Sequence, residues 1–258
     1  MENTKHSFTS PSKLKATILY VLLIFIGNAL FAILFSMLIA GVRGLDINQV
    51  ANSFFNSDPI SEEMNECKLL GQGWGNFLAY FLACAGIILW MRNDFISDFN
   101  KIKENKKWYS IIIPVFAIGF AAVAYGIDAL FGLWTPGSEN QTTIESLLRS
   151  DAMIPMIIST VIFAPIVEEM IYRKAIFSLA KDTSLPLAYT MSIVLFALPH
   201  MLSTASSVGM WFLQLIPYLL CGALLCVVYH LSKYNVYASI AAHMLNNLVA
   251  VISVFIRR

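Results

Sequence analysis

The stretch FAPIVEEMIYRKAIF, residues 163–177, decides how this chain is read. Glu168, Glu169, Arg173 and Lys174 interrupt a run that is otherwise apolar. An ionised side chain near the middle of a bilayer is disfavoured by about 3 kcal/mol or more on insertion scales. Either a helix ends here, with its charges in the headgroup layer, or it continues and the charges serve one another inside a bundle. Two features favour continuation. The apolar stretch Ala175–Ala180 resumes before the polar break Lys181-Asp182-Thr183-Ser184. Pro165 has no N–H, which frees the carbonyl of Val161 and loosens the helix one turn before Glu168. Such a defect is tolerated in a membrane where protein or a watery cavity satisfies the backbone.

The rest of the 258 residues supports a membrane setting. The chain is 58% hydrophobic and 13% charged, with a mean hydropathy of +0.69, outside the range of soluble domains of this length. Runs able to cross about 30 Å of hydrocarbon fall near 16–41, 74–91, 111–134, 156–180, 185–203, 211–231 and 236–256. The expected fold is an all-α, polytopic membrane helix bundle of about seven transmembrane helices. It divides into a tail over 1–15, three spans over 16–134 with an external loop over 43–73, and a region over 135–258 that carries the charged stretch. The first run is too long for a signal-peptide core and is expected to remain as a span.

Alternating the loops places twelve Lys and Arg on one side and five on the other. That bias predicts an integral multi-pass protein with a cytoplasmic N-terminus, although Arg257 and Arg258 fall on the poorer side. The net charge of +1 and the lack of a basic face exclude nucleic acid as a partner; the lipid bilayer is the expected one. Cys84, Cys221 and Cys226 lie in apolar runs and Cys67 in a polar loop, with no disulfide or CxxC pattern. Trp74, Trp90, Trp108 and Trp134 fall at expected span ends, where interfacial anchors belong. A short interfacial helix with Ile144, Leu147 and Leu148 on one face is expected over 142–150, capped by Thr142.

Within the charged stretch, Glu169 and Arg173 share a helix face in the favourable acid-before-base order. Glu168 is rotated about 100° away and is left without that partner. His200, at the end of FALPH, and His243 and Asn247, in HMLNN, also lie in apolar runs. Measured along their helices, Glu168 and His200 lie roughly 20 Å above the cytoplasmic ends, Asn247 about 16 Å and His243 about 10 Å. With tilt, these four side chains converge in one layer. Asn246 points away and is expected to make an interhelical hydrogen bond.

These residues resemble a known family. EEMIYR (168–173) fits EExxxR, FALPH (196–200) fits FxxxH and HMLNN (243–247) fits HxxxN. Those are the three motifs, in order, of the CAAX protease and bacteriocin-processing (CPBP, or Abi) family of intramembrane proteases. The resemblance covers about 163–247. It implies that Glu168 is a general base activating water with help from His200, that His243 and Asn247 steady an oxyanion, and that Glu169 and Arg173 hold the site together. The expected activity is hydrolysis of a peptide bond in a membrane-associated peptide or protein, with a role in peptide maturation or bacteriocin immunity. Family members are often described as metalloproteases. Two versions follow: a zinc-like divalent ion held by His200, His243 and a carboxylate or Asn247, or a metal-free glutamate mechanism. No HExxH is present to separate base from ligands, so both stand.

Two other classes compete. In an ion- or proton-coupled transporter the buried Glu, His and Arg form a relay, against which stand the lack of internal repeats and of glycine-rich broken helices. In a non-catalytic immunity or scaffolding protein the fold persists while the chemistry is lost, yet every motif position holds the expected residue.

Overall fold

The structure is a computed structural model that describes residues 10–56, 59–133, 138–201 and 207–256. Trp134 and the Arg257-Arg258 pair, weighed in the sequence above, lie outside the described residues. Every regular element among those described is helical, as expected. We number the helices α1 Pro11–Val42, α2 Ile47–Asn52, α3 Glu62–Trp90, α4 Arg92–Glu104, α5 Lys106–Gly132, α6 Glu139–Leu148, α7 Met153–Lys181, α8 Leu185–Met201, α9 Val208–Leu231 and α10 Val236–Ile256.

Six of these, α1, α3, α5, α7, α9 and α10, are long and apolar enough to cross a membrane, and α8 is a shorter apolar helix. Its length is near the lower limit of about 17 residues for a crossing. Six long helices and a short one reproduce the seven expected hydrophobic runs, and the protein is a polytopic helical membrane bundle. Large apolar side chains cover its outside: Leu30, Leu34, Leu38, Ile118 and Leu130 are all at least half exposed, which suits hydrocarbon and not water.

The second span begins twelve residues earlier than the hydropathy indicated. Ser61 caps it by accepting from the Met64 N–H, with Glu62 and Glu63 in the first turn, where acids oppose the positive helix end. Trp74 is consequently in mid-helix instead of at an end, and Cys67 is fully buried against Ala40 and Val50 instead of in a loop. The stretch 43–73 thus holds α2 and the first turns of α3. Helix α3 lies tightly on α1: a Cβ on Gly71 would stand 1.9 Å from Ser36 Oγ, and one on Gly75 would stand 2.4 Å from the Ala32 nitrogen. Only glycine permits that approach, the small-residue mode of packing in membranes.

The short helix α6 also departs from expectation. Its cap is Ser138, whose hydroxyl accepts from the Gln141 N–H, four residues before Thr142. Leu147 and Leu148 are buried against Ala152, Met156, Val251 and Val254, with Ile144 packed alongside. The apolar face meets α7 and α10 where lipid was expected.

Helix α7 runs without a break through the charged stretch. It contains two π-helical segments, Ser159–Phe163 and Met170–Phe177, a widened form that concentrates at functional sites. The first settles the proline defect in an unexpected way. The Ala164 N–H bonds to the Ser159 carbonyl, five residues back. In that register the carbonyl facing Pro165 is Thr160, one before the Val161 that a regular α-helix would leave free. The Asn247 amide donates to the Thr160 oxygen at 2.8 Å. A side chain of α10 thus replaces the missing backbone donor of α7.

One end of the bundle is tied by Asp98, a fully buried residue of α4. Its carboxylate accepts from Lys174 Nζ at 2.7 Å, Lys101 Nζ at 2.8 Å and the Val236 N–H at 2.9 Å. Asn235 donates to the Asp98 carbonyl at 2.8 Å. Asp98 therefore caps α10 and neutralises Lys174 of α7, fixing the depth of two helices that carry motif residues. Arg173 and Lys174, counted above among the charges of the lysine- and arginine-rich side, are both buried in the bundle.

Candidate active site

Glu168 and Glu169 are 4% and 0% exposed, so neither is at an aqueous interface. Their environments divide them as helical geometry implied. Glu169 Oε1 lies 3.1 Å from Arg173 Nη1 and 3.1 Å from His243 Nδ1. Arg173, fully buried, donates from Nη2 to the Gly222 carbonyl at 3.1 Å, and its guanidinium lies 4.7 Å from the centre of the Phe196 ring. A buried carboxylate, a guanidinium and an imidazole thereby join α7, α9 and α10. A buried charge is tolerable when it is paired and hydrogen-bonded in this manner.

Glu168 makes different contacts. Its Oε1 accepts from the Tyr80 hydroxyl of α3 at 3.0 Å, and its Oε2 stands 4.0 Å from His243 Nε2. That separation is too long for a direct hydrogen bond. His243 therefore turns one ring nitrogen to each glutamate. A carboxylate accepts only, so the hydrogen bond to Glu169 places a proton on Nδ1 and directs Nε2 toward Glu168.

Phe196 is the packing centre. Its ring is 5.1 Å from His200, 5.8 Å from His243 and 5.6 Å from Tyr172. Here α8 gives way to a 3₁₀ turn, Leu198–Met201, around Pro199. His200 Nδ1 lies 2.9 Å from the Phe196 carbonyl; a carbonyl only accepts, so Nδ1 carries the proton and Nε2 is left as an acceptor. The His200 ring also stacks on Tyr218 at 4.6 Å. The Tyr218 hydroxyl reaches α6 through Ser138 at 2.7 Å and Asn140 at 3.4 Å.

Of the six residues singled out, Glu168, Glu169, Arg173 and His243 form one contact network. His200 joins it through the Phe196 ring, and Asn247 through the Thr160 carbonyl, eight residues before Glu168 on α7. Asn246 donates to its neighbour Asn247 at 3.3 Å, where an interhelical bond was expected. Tyr80, Tyr218 and Asp98 were not legible beforehand: a tyrosine in an apolar run reads as packing, and Asp98 sits in a stretch dense with charge.

The donor set was tested for a divalent ion. Among the described residues no group of three or more His, Cys, Asp or Glu is placed to hold one. The residues do not fit a three-donor zinc site.

Fold and site define a class: a multi-pass helical membrane protein with a buried glutamate and two histidines assembled from separate helices. Residues 150–249 match the Rce1-like family, described as Type II CAAX prenyl endopeptidase Rce1-like. The matched segment contains all three motifs; over these residues the chain is similar to the CAAX proteases, which are hydrolases, and the match supports a CAAX-type intramembrane protease acting on peptide substrates in a lipid bilayer. Searches among curated proteins and among solved structures found no match.

Proposed function

We propose that the protein cleaves a membrane-associated peptide or protein by a glutamate-activated water, without a step through a metal. The observation that carries this reading is the division of labour between adjacent glutamates: Glu169 is committed to Arg173 and His243, while Glu168 keeps one oxygen facing His243 at 4.0 Å. Glu168 Oε2 takes a proton from water as its oxygen attacks the scissile carbonyl carbon. His200 Nε2, an acceptor, helps to hold that water. The carbonyl oxygen becomes an oxyanion, which the Asn247 N–H not used by Thr160 stabilises, with His243 beside it. Collapse of the tetrahedral intermediate breaks the C–N bond, and the proton held by Glu168 passes to the departing amine. Burial strengthens each of these interactions over its value in water.

The family description supports a prenylated C-terminal peptide as one substrate class; peptide maturation or bacteriocin immunity is the setting we propose for it. The lysine- and arginine-rich side, to which α4 and the start of α10 belong, supports a cytoplasmic N-terminus.

The test compares wild type and Glu168→Gln, purified in detergent, on quenched membrane-anchored peptides with and without a prenyl group, each with and without a strong chelator. Cleavage by wild type alone, unchanged by chelator, is expected. Equal cleavage by both proteins overturns the role of Glu168; loss of cleavage with chelator overturns the metal-free route.

A further inference from the structure

We propose that Tyr80 is a positioning residue for Glu168, and hence that the helices preceding the matched segment take part in the chemistry. The inference rests on the reading of Glu168 as the base and extends the site to α3, seventy residues before residue 150.

A carboxylate on an α-helix rotates about its side-chain bonds unless something holds it. Glu169 is held by two cationic or polar partners, whereas Glu168 accepts, among the described residues, from the Tyr80 hydroxyl at 3.0 Å on Oε1. A donor fixed on one oxygen sets the plane of the carboxylate and leaves the other oxygen, Oε2, turned toward His243 Nε2. Without the hydroxyl, either oxygen is free to turn, and the base loses the orientation that water activation requires.

Tyr80 is itself fixed. The close approach at Gly71 and Gly75 locks α3 onto α1, and Gly75 is only five residues before Tyr80. Phe77 and Phe81, on either side of it in sequence, pack on Phe163 of α7 at 5.6 and 5.8 Å, one helical turn and a residue before Glu168. The geometry is that of a second residue whose own position is locked by packing. A neighbouring phenol pair provides a built-in control: Tyr20 and Tyr172 join hydroxyls at 2.7 Å, with Tyr172 four residues after Glu168 on the same face, yet neither hydroxyl bonds to Glu168 among the hydrogen bonds described.

Tyr80→Phe removes the donor and keeps the ring. With a cleavable peptide, it is expected to lower kcat at least about tenfold, as losing a hydrogen bond to a charged group does, to leave KM within about twofold and to move the acid limb of the kcat/KM profile. Tyr20→Phe is expected to leave kcat, KM and that limb unchanged. A reading that needs no turnover uses a hydrophobic carbodiimide, with labelling of Glu168 followed by mass spectrometry. Labelling is expected to rise several-fold in Tyr80→Phe, because Oε1 is freed to attack the reagent, and to match wild type in Tyr20→Phe.

Unchanged kinetics and unchanged labelling in Tyr80→Phe overturn the proposal. So do equal losses in Tyr80→Phe and Tyr20→Phe, which reveal packing alone. Glu168→Gln, assayed alongside, separates the two readings. If it retains the wild-type rate, the base assignment falls and takes the role of Tyr80 with it. If it is inactive while Tyr80→Phe matches wild type, only the role of Tyr80 falls.

Discussion

Asn247 Nδ2 donates to the carbonyl oxygen of Thr160 at 2.8 Å, supplying from α10 the donor that Pro165 cannot supply within α7. The HxxxN and EExxxR motifs are thus coupled through backbone as well as through the contact of His243 with Glu169. An unsatisfied carbonyl inside a membrane protein is costly, and α7 is widened by one residue from the register in which Val161 would have been left bare.

That coupling is measurable. Asn247→Ala is expected to destabilise the detergent-solubilised protein by about 1–3 kcal/mol, the cost of stranding one buried polar group. In a Pro165→Ala background the backbone regains an N–H, and the loss on Asn247→Ala shrinks. A double-mutant cycle on denaturant-induced unfolding reads the difference; strict additivity would contradict the contact.

The adjacent glutamates are expected to separate by stability as well as by activity. Glu169→Gln strips Arg173 and His243 of their shared acceptor charge and should cost about 3–5 kcal/mol, the range for breaking a buried pair by removing one partner. Glu168→Gln retains an oxygen for Tyr80 and should change stability by less than about 1 kcal/mol. Unfolding curves for the two variants, taken in the same detergent, check the contrast.

Asp98 bonds to Lys174 of α7 and to the first N–H of α10, and so sets where two helices that carry motif residues sit. Asp98→Ala leaves Lys174 buried without its 2.7 Å partner and removes the cap of α10, with an expected loss of about 3–5 kcal/mol. Adding Lys174→Met removes the stranded charge and should recover part of that loss. Thermal unfolding of the single and double variants provides the measurement.

Tyr218 touches His200 with its ring and α6 with its hydroxyl. Tyr218→Phe keeps the stacked ring and is expected to leave kcat within about threefold. Tyr218→Leu removes the ring and is expected to lower kcat roughly three- to tenfold, commensurate with one aromatic contact. If the order is reversed, the link through Ser138 outweighs the stacking.

Much of this was legible in the sequence because the relevant physics is local. Hydrocarbon thickness sets the length of an apolar run, so seven helical runs could be counted directly; only Ser61 and its acidic first turn, a polar start that hydropathy ignores, moved a boundary substantially. Helical period alone paired Glu169 with Arg173 and set Glu168 apart, and the order of the three motifs indicated the family that residues 150–249 match.

What the tertiary structure decided are the contacts between helices distant in the chain. Tyr80 and Glu168 are 88 residues apart, Asp98 and Lys174 76 apart, and Thr160 and Asn247 87 apart. No periodicity records such a meeting. A tyrosine looks the same in sequence whether it faces lipid or a carboxylate, and the register of a proline-containing helix depends on which neighbour brings a donor. The sequence alone determined which residues need partners in a bilayer; only packing of α1, α3, α4, α9 and α10 around α7 determined which partners they obtain, because each buried polar group must be satisfied by whatever the fold brings within about 3 Å.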